Sequence, residues 1–122
     1  MFKESISQTV WDLKYRYRLH GQIMDQTIED TWRRVARAVA MAEPAAQRLV
    51  WENAFYRILE KFQYLPGGRI LAGAGTAYPV TLFNCFVMDI AEDSLKAIFH
   101  ALEEGAMTLQ QGGGVGYDFS IL

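Results

Sequence analysis

The sequence predicts an α+β fold that is mostly helical: a helical first half, then a strand–helix–strand unit with parallel strands. Three observations carry this. From residue 5 to about residue 62, apolar residues recur at spacings of three and four, the period of a helix with one buried face. The composition then changes at Leu65, where residues 65–79 hold four glycines and two prolines. Beyond that lie an apolar run at 82–88, an amphipathic stretch to about 111 and a second short run at 117–122. A helical crossover between two strands of one sheet makes them parallel, and a parallel sheet needs more than two strands.

Each element has its own signal. In residues 5–19, Ile6, Val10, Leu13 and Tyr17 mark one face of a helix that Gly21 ends. Thr27-Ile28-Glu29-Asp30 reads as a capping box with Asp30 in place of Glu or Gln. Trp32, Val35, Ala36 and Val39 then face inward. Pro44 suits the first turn of a third helix, where its missing N–H costs little. That helix runs to about Phe62, with Leu49, Trp51, Phe55, Ile58, Leu59 and Phe62 inward. Residues 65–79 read as an ordered loop, because they lack the Ser, Glu and Lys of a tether and contain Ile70 and Leu71. Asp93 or Ser94 caps the next helix, with Leu95, Ile98, Phe99, Leu102 and Met107 inward. Gly112 stops it. The expected division is a helical region, 1–64, and a second region, 65–122.

Bulk properties narrow the function. The 122 residues suffice for one domain with a modest core. With 51% hydrophobic and 21% charged residues, the chain fits a globular class. A net charge of -2 opposes a strongly basic nucleic-acid surface. No apolar run approaches the ~20 residues of a membrane helix. The N-terminal Met1-Phe2-Lys3-Glu4-Ser5 lacks the apolar core of a signal peptide. The expectation is therefore a cytoplasmic protein with no nucleic-acid and no membrane partner. A single cysteine excludes an internal disulfide framework. His20 and His100 are isolated, so no metal site is expected.

Four features bear on chemistry. Cys85 lies in Leu82-Phe83-Asn84-Cys85-Phe86-Val87-Met88. A cysteine on a strand is most often a small buried hydrophobe. Here Asn84 is a polar residue in an apolar strand and needs a partner. The glycine-rich loop before it can also bring backbone donors near a thiol, which reacts as thiolate. The second feature is Gln110-Gln111-Gly112-Gly113-Gly114-Val115-Gly116. Bare backbone amides can approach a phosphate, although glycine turns between helix and strand also occur without a ligand. No Gly-Lys-Ser/Thr follows, so this is no Walker motif, and the glycines follow a helix, unlike the Rossmann fingerprint. Arg69 is either a bidentate phosphate clamp or a solvated loop arginine. Asp93-Ser94 sits at a helix N-terminus with unpaired N–H groups, which an ordinary cap also explains. One thiol cannot complete a dithiol redox cycle, so the chain reads as part of a larger machine.

Taken in order, these motifs resemble a known pattern. Leu65-Pro66-Gly67-Gly68-Arg69-Ile70-Leu71-Ala72-Gly73-Ala74-Gly75-Thr76, then Asn84-Cys85, Asp93-Ser94-Leu95 and Gln110-Gln111-Gly112-Gly113-Gly114-Val115-Gly116-Tyr117-Asp118-Phe119-Ser120, resemble the start of class II ribonucleotide reductases. Trp11, Tyr15 and Glu29-Asp30-Thr31-Trp32-Arg33-Arg34-Val35-Ala36 are similar to that family's N-terminal helical region. The resemblance covers essentially the whole chain. It implies helices followed by the first strand–helix–strand of an incomplete ten-stranded α/β barrel. It implies adenosylcobalamin as cofactor, a ribonucleoside diphosphate as substrate, a nucleoside triphosphate as effector and a thioredoxin-type reductant. In the family, cobalamin homolysis makes a thiyl radical that abstracts the ribose 3′ hydrogen, and two further cysteines become a disulfide. Cys85 matches the first of that reducing pair. Arg69, Asn84 and Gly114 fall at substrate-contacting positions, and Asp93, Ser94 and Leu95 at effector-binding ones.

The other family cysteines, the catalytic acid and the cobalamin-binding part find no counterpart in these residues. The expectation is an N-terminal piece that works only with the remainder of the reductase: a truncated gene, part of a split enzyme or an excised domain. Two alternatives stand beside it, a non-catalytic nucleotide-binding or regulatory module and a helical interaction protein with a merely buried cysteine.

Overall fold

Tryptophan, rather than the aliphatic stripe, anchors the first helix. In the computed structural model, which describes residues 4–122, helix α1 (Ser5–Lys14) buries Trp11. Ile6 and Leu13, expected inward, are about three-quarters exposed at 70% and 74%. Met1, Phe2 and Lys3, from the stretch read as lacking a signal-peptide core, lie outside the described residues.

The helix also ends earlier than its periodicity predicts. Residues 15–26 turn back as a hairpin of two short strands, β1 (Arg18–Leu19) and β2 (Gln22–Ile23). His20 and Gly21 both have positive φ, the requirement of a type I′ hairpin turn. Gly21 therefore turns the hairpin rather than ending the helix. The hairpin is held from inside by Asp25, whose carboxylate accepts from the Tyr17 amide and the Thr31 hydroxyl. Thr31 in turn accepts from the Trp11 indole N–H. A helix through residue 19 would leave this buried carboxylate without its backbone donor.

Helix α2 (Ile28–Ala40) carries the expected capping box: Asp30 N–H donates to Thr27 Oγ1, and Thr27 N–H donates to Asp30 Oδ2 at 2.8 Å. Thr27→Ala should cost about 1 kcal/mol. Urea unfolding should show this as a lower midpoint with an unchanged slope. Trp32, Val35 and Ala36 are buried as expected, whereas Val39 is exposed. A short 3-10 turn (Ala45–Gln47), preceded by Pro44, leads into α3 (Arg48–Leu59). Of the α3 residues expected inward, Leu59 is buried and Phe55 packs half-buried against the core. Leu49, Trp51 and Ile58 are exposed. Phe62, in the following turn, is exposed but sets its ring edge-on to Trp32 at 5.1 Å.

Residues 65–79 contain a short helix, α4 (Gly68–Gly73), that delivers Leu71 to the core. Trp11, Ile28, Trp32, Val35, Ala36, Leu59, Leu71 and Ala74 form that core. The first compact unit extends to Tyr78 and the second is Pro79–Leu122; the composition change at Leu65 falls inside the first.

The second unit is β3 (Cys85–Met88), α5 (Leu95–Gln110) and β4 (Gly114–Tyr117). The strands are parallel, as the crossover predicts, with Cys85 opposite Gly114 and Met88 opposite Tyr117. The last strand is shifted from the expected 117–122 and runs through the glycines instead. Helix α5 meets the strands through its small residues: Ala101 and Gly105 are buried. Leu95, Phe99, Leu102 and Met107, expected inward, are exposed. Close helix–sheet approach selects the small side. A Cβ on Gly105 would stand 1.9 Å from the Tyr117 hydroxyl oxygen. Gly105→Ala should therefore destabilise the second unit by about 1–3 kcal/mol. Adding Tyr117→Phe should recover most of the loss, read as hydrogen-exchange protection of α5 amides. Among the described residues, no helix is long and apolar enough to cross a membrane.

Candidate functional site

The site is built where β3 and β4 begin. Cys85 opens β3 and is exposed, which opposes the reading of a merely buried cysteine. Side chains alternate along a strand. Phe86 and Met88 lie toward α5: Met88 Cγ is near Gly105, and the Phe86 ring is against Gly113. Cys85 and Val87 therefore stand on the opposite face, where Val87 is 82% exposed.

Gly114 is Cys85's cross-strand neighbour, and its N–H donates to the Asn84 carbonyl at 2.8 Å. A Cβ on Gly114 would lie 3.3 Å from that same oxygen. Glycine here lets the two backbones close in, leaving an open surface beside the thiol. Upstream, the Thr81 N–H donates to the Gln111 carbonyl and the Phe83 N–H to Thr81 Oγ1. Sequence reasoning missed Thr81, although a threonine hydroxyl that can accept from the amide two residues on is the local signal of such a turn.

The glycine cluster is not a row of free amides. Gly112, at φ +86°, donates to Leu109 O, and Gly113 donates to Thr108 O. This pair of bonds with a left-handed glycine is a Schellman cap. The amides of Gly112, Gly113 and Gly114 are thus all engaged within the chain, and the cluster turns a helix end into a strand. Its downstream end is a tight turn in which the Ser120 N–H donates to Asp118 Oδ1 at 2.9 Å. That bond, aided by the Ser120 side chain, holds the Asp118 carboxyl below its ordinary pKa.

The remaining expected residues lie elsewhere. Ser94 is the N-cap of α5: its Oγ accepts from Ala97 N–H at 3.2 Å and donates to Glu92 Oε1 at 2.9 Å. Asp93 and Leu95 beside it are exposed, Leu95 at 75%. These three follow the C-terminal end of β3, opposite the end that carries Cys85. Arg69 stands half-buried on α4 in the first unit. The structure thus brings Asn84, Cys85 and Gly114 together and keeps Asp93, Ser94 and Leu95 apart from them. Among the described residues, no three His, Cys, Asp or Glu side chains gather as a metal group.

Two family profiles match the chain. "Ribonucleotide reductase, all-alpha domain" covers residues 1–79, and "Ribonucleotide reductase, barrel domain" covers residues 83–122. A vitamin B12-dependent ribonucleoside-diphosphate reductase of Mycobacterium tuberculosis is 37% identical over 120 residues, which is 90% of this chain and 16% of that protein. A ribonucleoside-diphosphate reductase subunit alpha of Chlamydia pneumoniae is 27% identical over 85% of this chain and 10% of its own length. A vitamin B12-dependent ribonucleoside-diphosphate reductase of Thermoplasma acidophilum is 34% identical over 57% of this chain and 9% of its own length. The chain spans 16% or less of the length of each of these three relatives.

Proposed function

Since the chain belongs to the ribonucleotide reductase family, we propose that it is the N-terminal portion of a class II ribonucleoside-diphosphate reductase. Together with the remainder of that enzyme it reduces ribonucleotides to deoxyribonucleotides for DNA synthesis in the cytoplasm. The observation that carries this reading is the start of β3 and β4: an exposed thiol on the face turned away from α5, beside a glycine that leaves backbone-close space.

In this reading Cys85 is one of two reducing thiols. The ribose gives up its 2′ oxygen as water and gains a C2′–H bond. Cys85 and a second cysteine lose two hydrogens and join as a disulfide. A thioredoxin-type dithiol then reduces that disulfide by exchange. The chain has one cysteine, so the second thiol comes from the remainder of the reductase. Asn84 and Arg69 contact the substrate diphosphate nucleotide. Gly114 contributes by having no side chain, because its amide already donates to Asn84. Asp93, Ser94 and Leu95 meet the nucleoside triphosphate effector, Leu95 through its exposed apolar surface.

Adenosylcobalamin supplies the radical in this class. The groove in the first unit does not fit it. The groove of about 780 Å³ in the first unit is lined by apolar side chains such as Ile6, Val10, Trp11 and Trp32, with Lys61 as its charged group. That lining does not match the amide-rich rim of a corrin. In this reading the remainder of the enzyme binds the cofactor.

Co-expression with the remaining portion of the reductase tests the proposal. Deoxyribonucleotide formation from ribonucleoside diphosphate should require this chain. A remainder that is equally active without it would overturn the reading.

A further inference from the structure

We propose that Gly113 and the Phe86 ring act as a spacer that sets where the Cys85 thiol stands, making Gly113 a positioning residue for the reduction. This rests on the reading of Cys85 given above. Gly113 is buried between α5 and β3, and its N–H is tied to Thr108 O at 2.9 Å. A Cβ at this position would lie 2.8 Å from Phe86 Cε2 and 2.7 Å from Thr108 Cγ2. Thr108 Cγ2 ends a side chain that keeps two χ1 rotamers in a helix, so it can turn aside, and the Phe86 ring takes the push. The Phe86 ring also meets the exposed Phe83 ring edge-on, with centroids 6.3 Å apart.

The consequence for Cys85 follows from adjacency. Phe86 is the next residue along β3, and Gly114, next to Gly113, is the cross-strand neighbour of Cys85. Any outward push on the Phe86 ring levers the Cys85–Phe86 backbone. The same substitution strains the Gly114 N–H bond to Asn84 O. The helix end thus sets the thiol through one contact without touching it. Gly116 is the internal control: a Cβ there meets nothing within 4 Å.

The test is the alkylation rate of Cys85 by iodoacetamide in the native chain. Gly113→Ala should change that rate about threefold or more, because overpacking shifts the backbone. Gly116→Ala should leave it within about 1.5-fold, since it fills open space. Adding Phe86→Leu to Gly113→Ala should return the rate to the wild-type value, a rescue that general loss of stability does not produce. If Gly113→Ala fails to fold, the double variant decides. A folded double variant with the wild-type rate supports the spacer, and one that remains unfolded or keeps an altered rate overturns it. An unchanged rate in a folded Gly113→Ala chain also overturns it. None of these outcomes depends on Cys85 being a reducing thiol. That reading is tested separately by turnover, so the two failures are distinguishable.

Discussion

Arg34→Ala is expected to destabilise the first unit by about 3–5 kcal/mol, the cost of orphaning one member of a buried ion pair. Arg34 and Asp25 are nearly sealed, with side chains 9% and 4% exposed and Nη2 at 2.9 Å from Oδ2. The guanidinium does more than neutralise Asp25. It also donates to the carbonyls of Tyr15, Leu71 and Ala74. One side chain therefore ties together the end of α1, the hairpin, α2 and the end of α4. Alanine would strand a carboxylate and these carbonyls away from water. Domains of this size hold only about 5–15 kcal/mol in total, so the variant should populate unfolded states at modest urea. Arg34→Lys should recover only a minor part, because an ammonium has fewer N–H donors than the guanidinium fork that serves these four acceptors. The paired variant Asp25→Leu with Arg34→Met should be less damaged than Arg34→Ala alone. An Arg34→Ala chain within 1 kcal/mol of wild type would exclude this role.

That hub explains much of what the sequence concealed. Thr27 and Asp30 were legible because a capping box is local and its residues are three apart. Asp25 and Arg34 form a long-range network with Tyr17, Thr31 and three carbonyls, and no periodicity announces it. It overrides the aliphatic repeat of Ile6, Val10, Leu13 and Tyr17: the backbone leaves the helix after Lys14 so that Tyr17 N–H can reach Asp25. The order of elements in the second unit and its parallel pairing were readable from length and pattern. The inward face of α5 was not. Large apolar residues lie on more than one side of that helix, and close packing against a sheet is decided by Ala101 and Gly105.

The candidate site was legible in its residues more than in its geometry. Cys85, Asn84 and Gly114 stood out as chemistry-bearing positions, and the fold brings them together. The glycine cluster suggested free amides, yet its bonds to Thr108 and Leu109 make it a helix terminus. A run of glycines specifies permissive backbone, and the same permission serves an anion loop or a Schellman turn. The choice between them depends on where the helix stops, which is the least legible boundary in a sequence.

Cys85→Ala is expected to abolish multiple-turnover reduction by the joined enzyme, by at least about a thousandfold, while leaving the chain's stability almost unchanged. The argument for the first half is stoichiometric. Reduction needs two electrons and two hydrogens from a pair of thiols, and with one thiol removed no disulfide can form. Groups that act as a unit fail together, so loss of one is near-total loss. The argument for the second half is positional. Cys85 is exposed at the start of β3, and a surface substitution of this kind moves stability by about 0.5 kcal/mol or less. Val87→Ala, on the same face, should leave turnover largely intact and marks the difference between a chemical and a steric role. Cys85→Ser sharpens it further: serine keeps the size and the hydrogen-bonding capacity but has no redox chemistry, so it should be as inactive as alanine. Oxidation of the wild-type complex by substrate should remove two hydrogens by intact mass, and the same treatment of the serine variant should remove none. Turnover that survives in either Cys85 variant would assign the electrons to other thiols and leave Cys85 as a surface residue of β3.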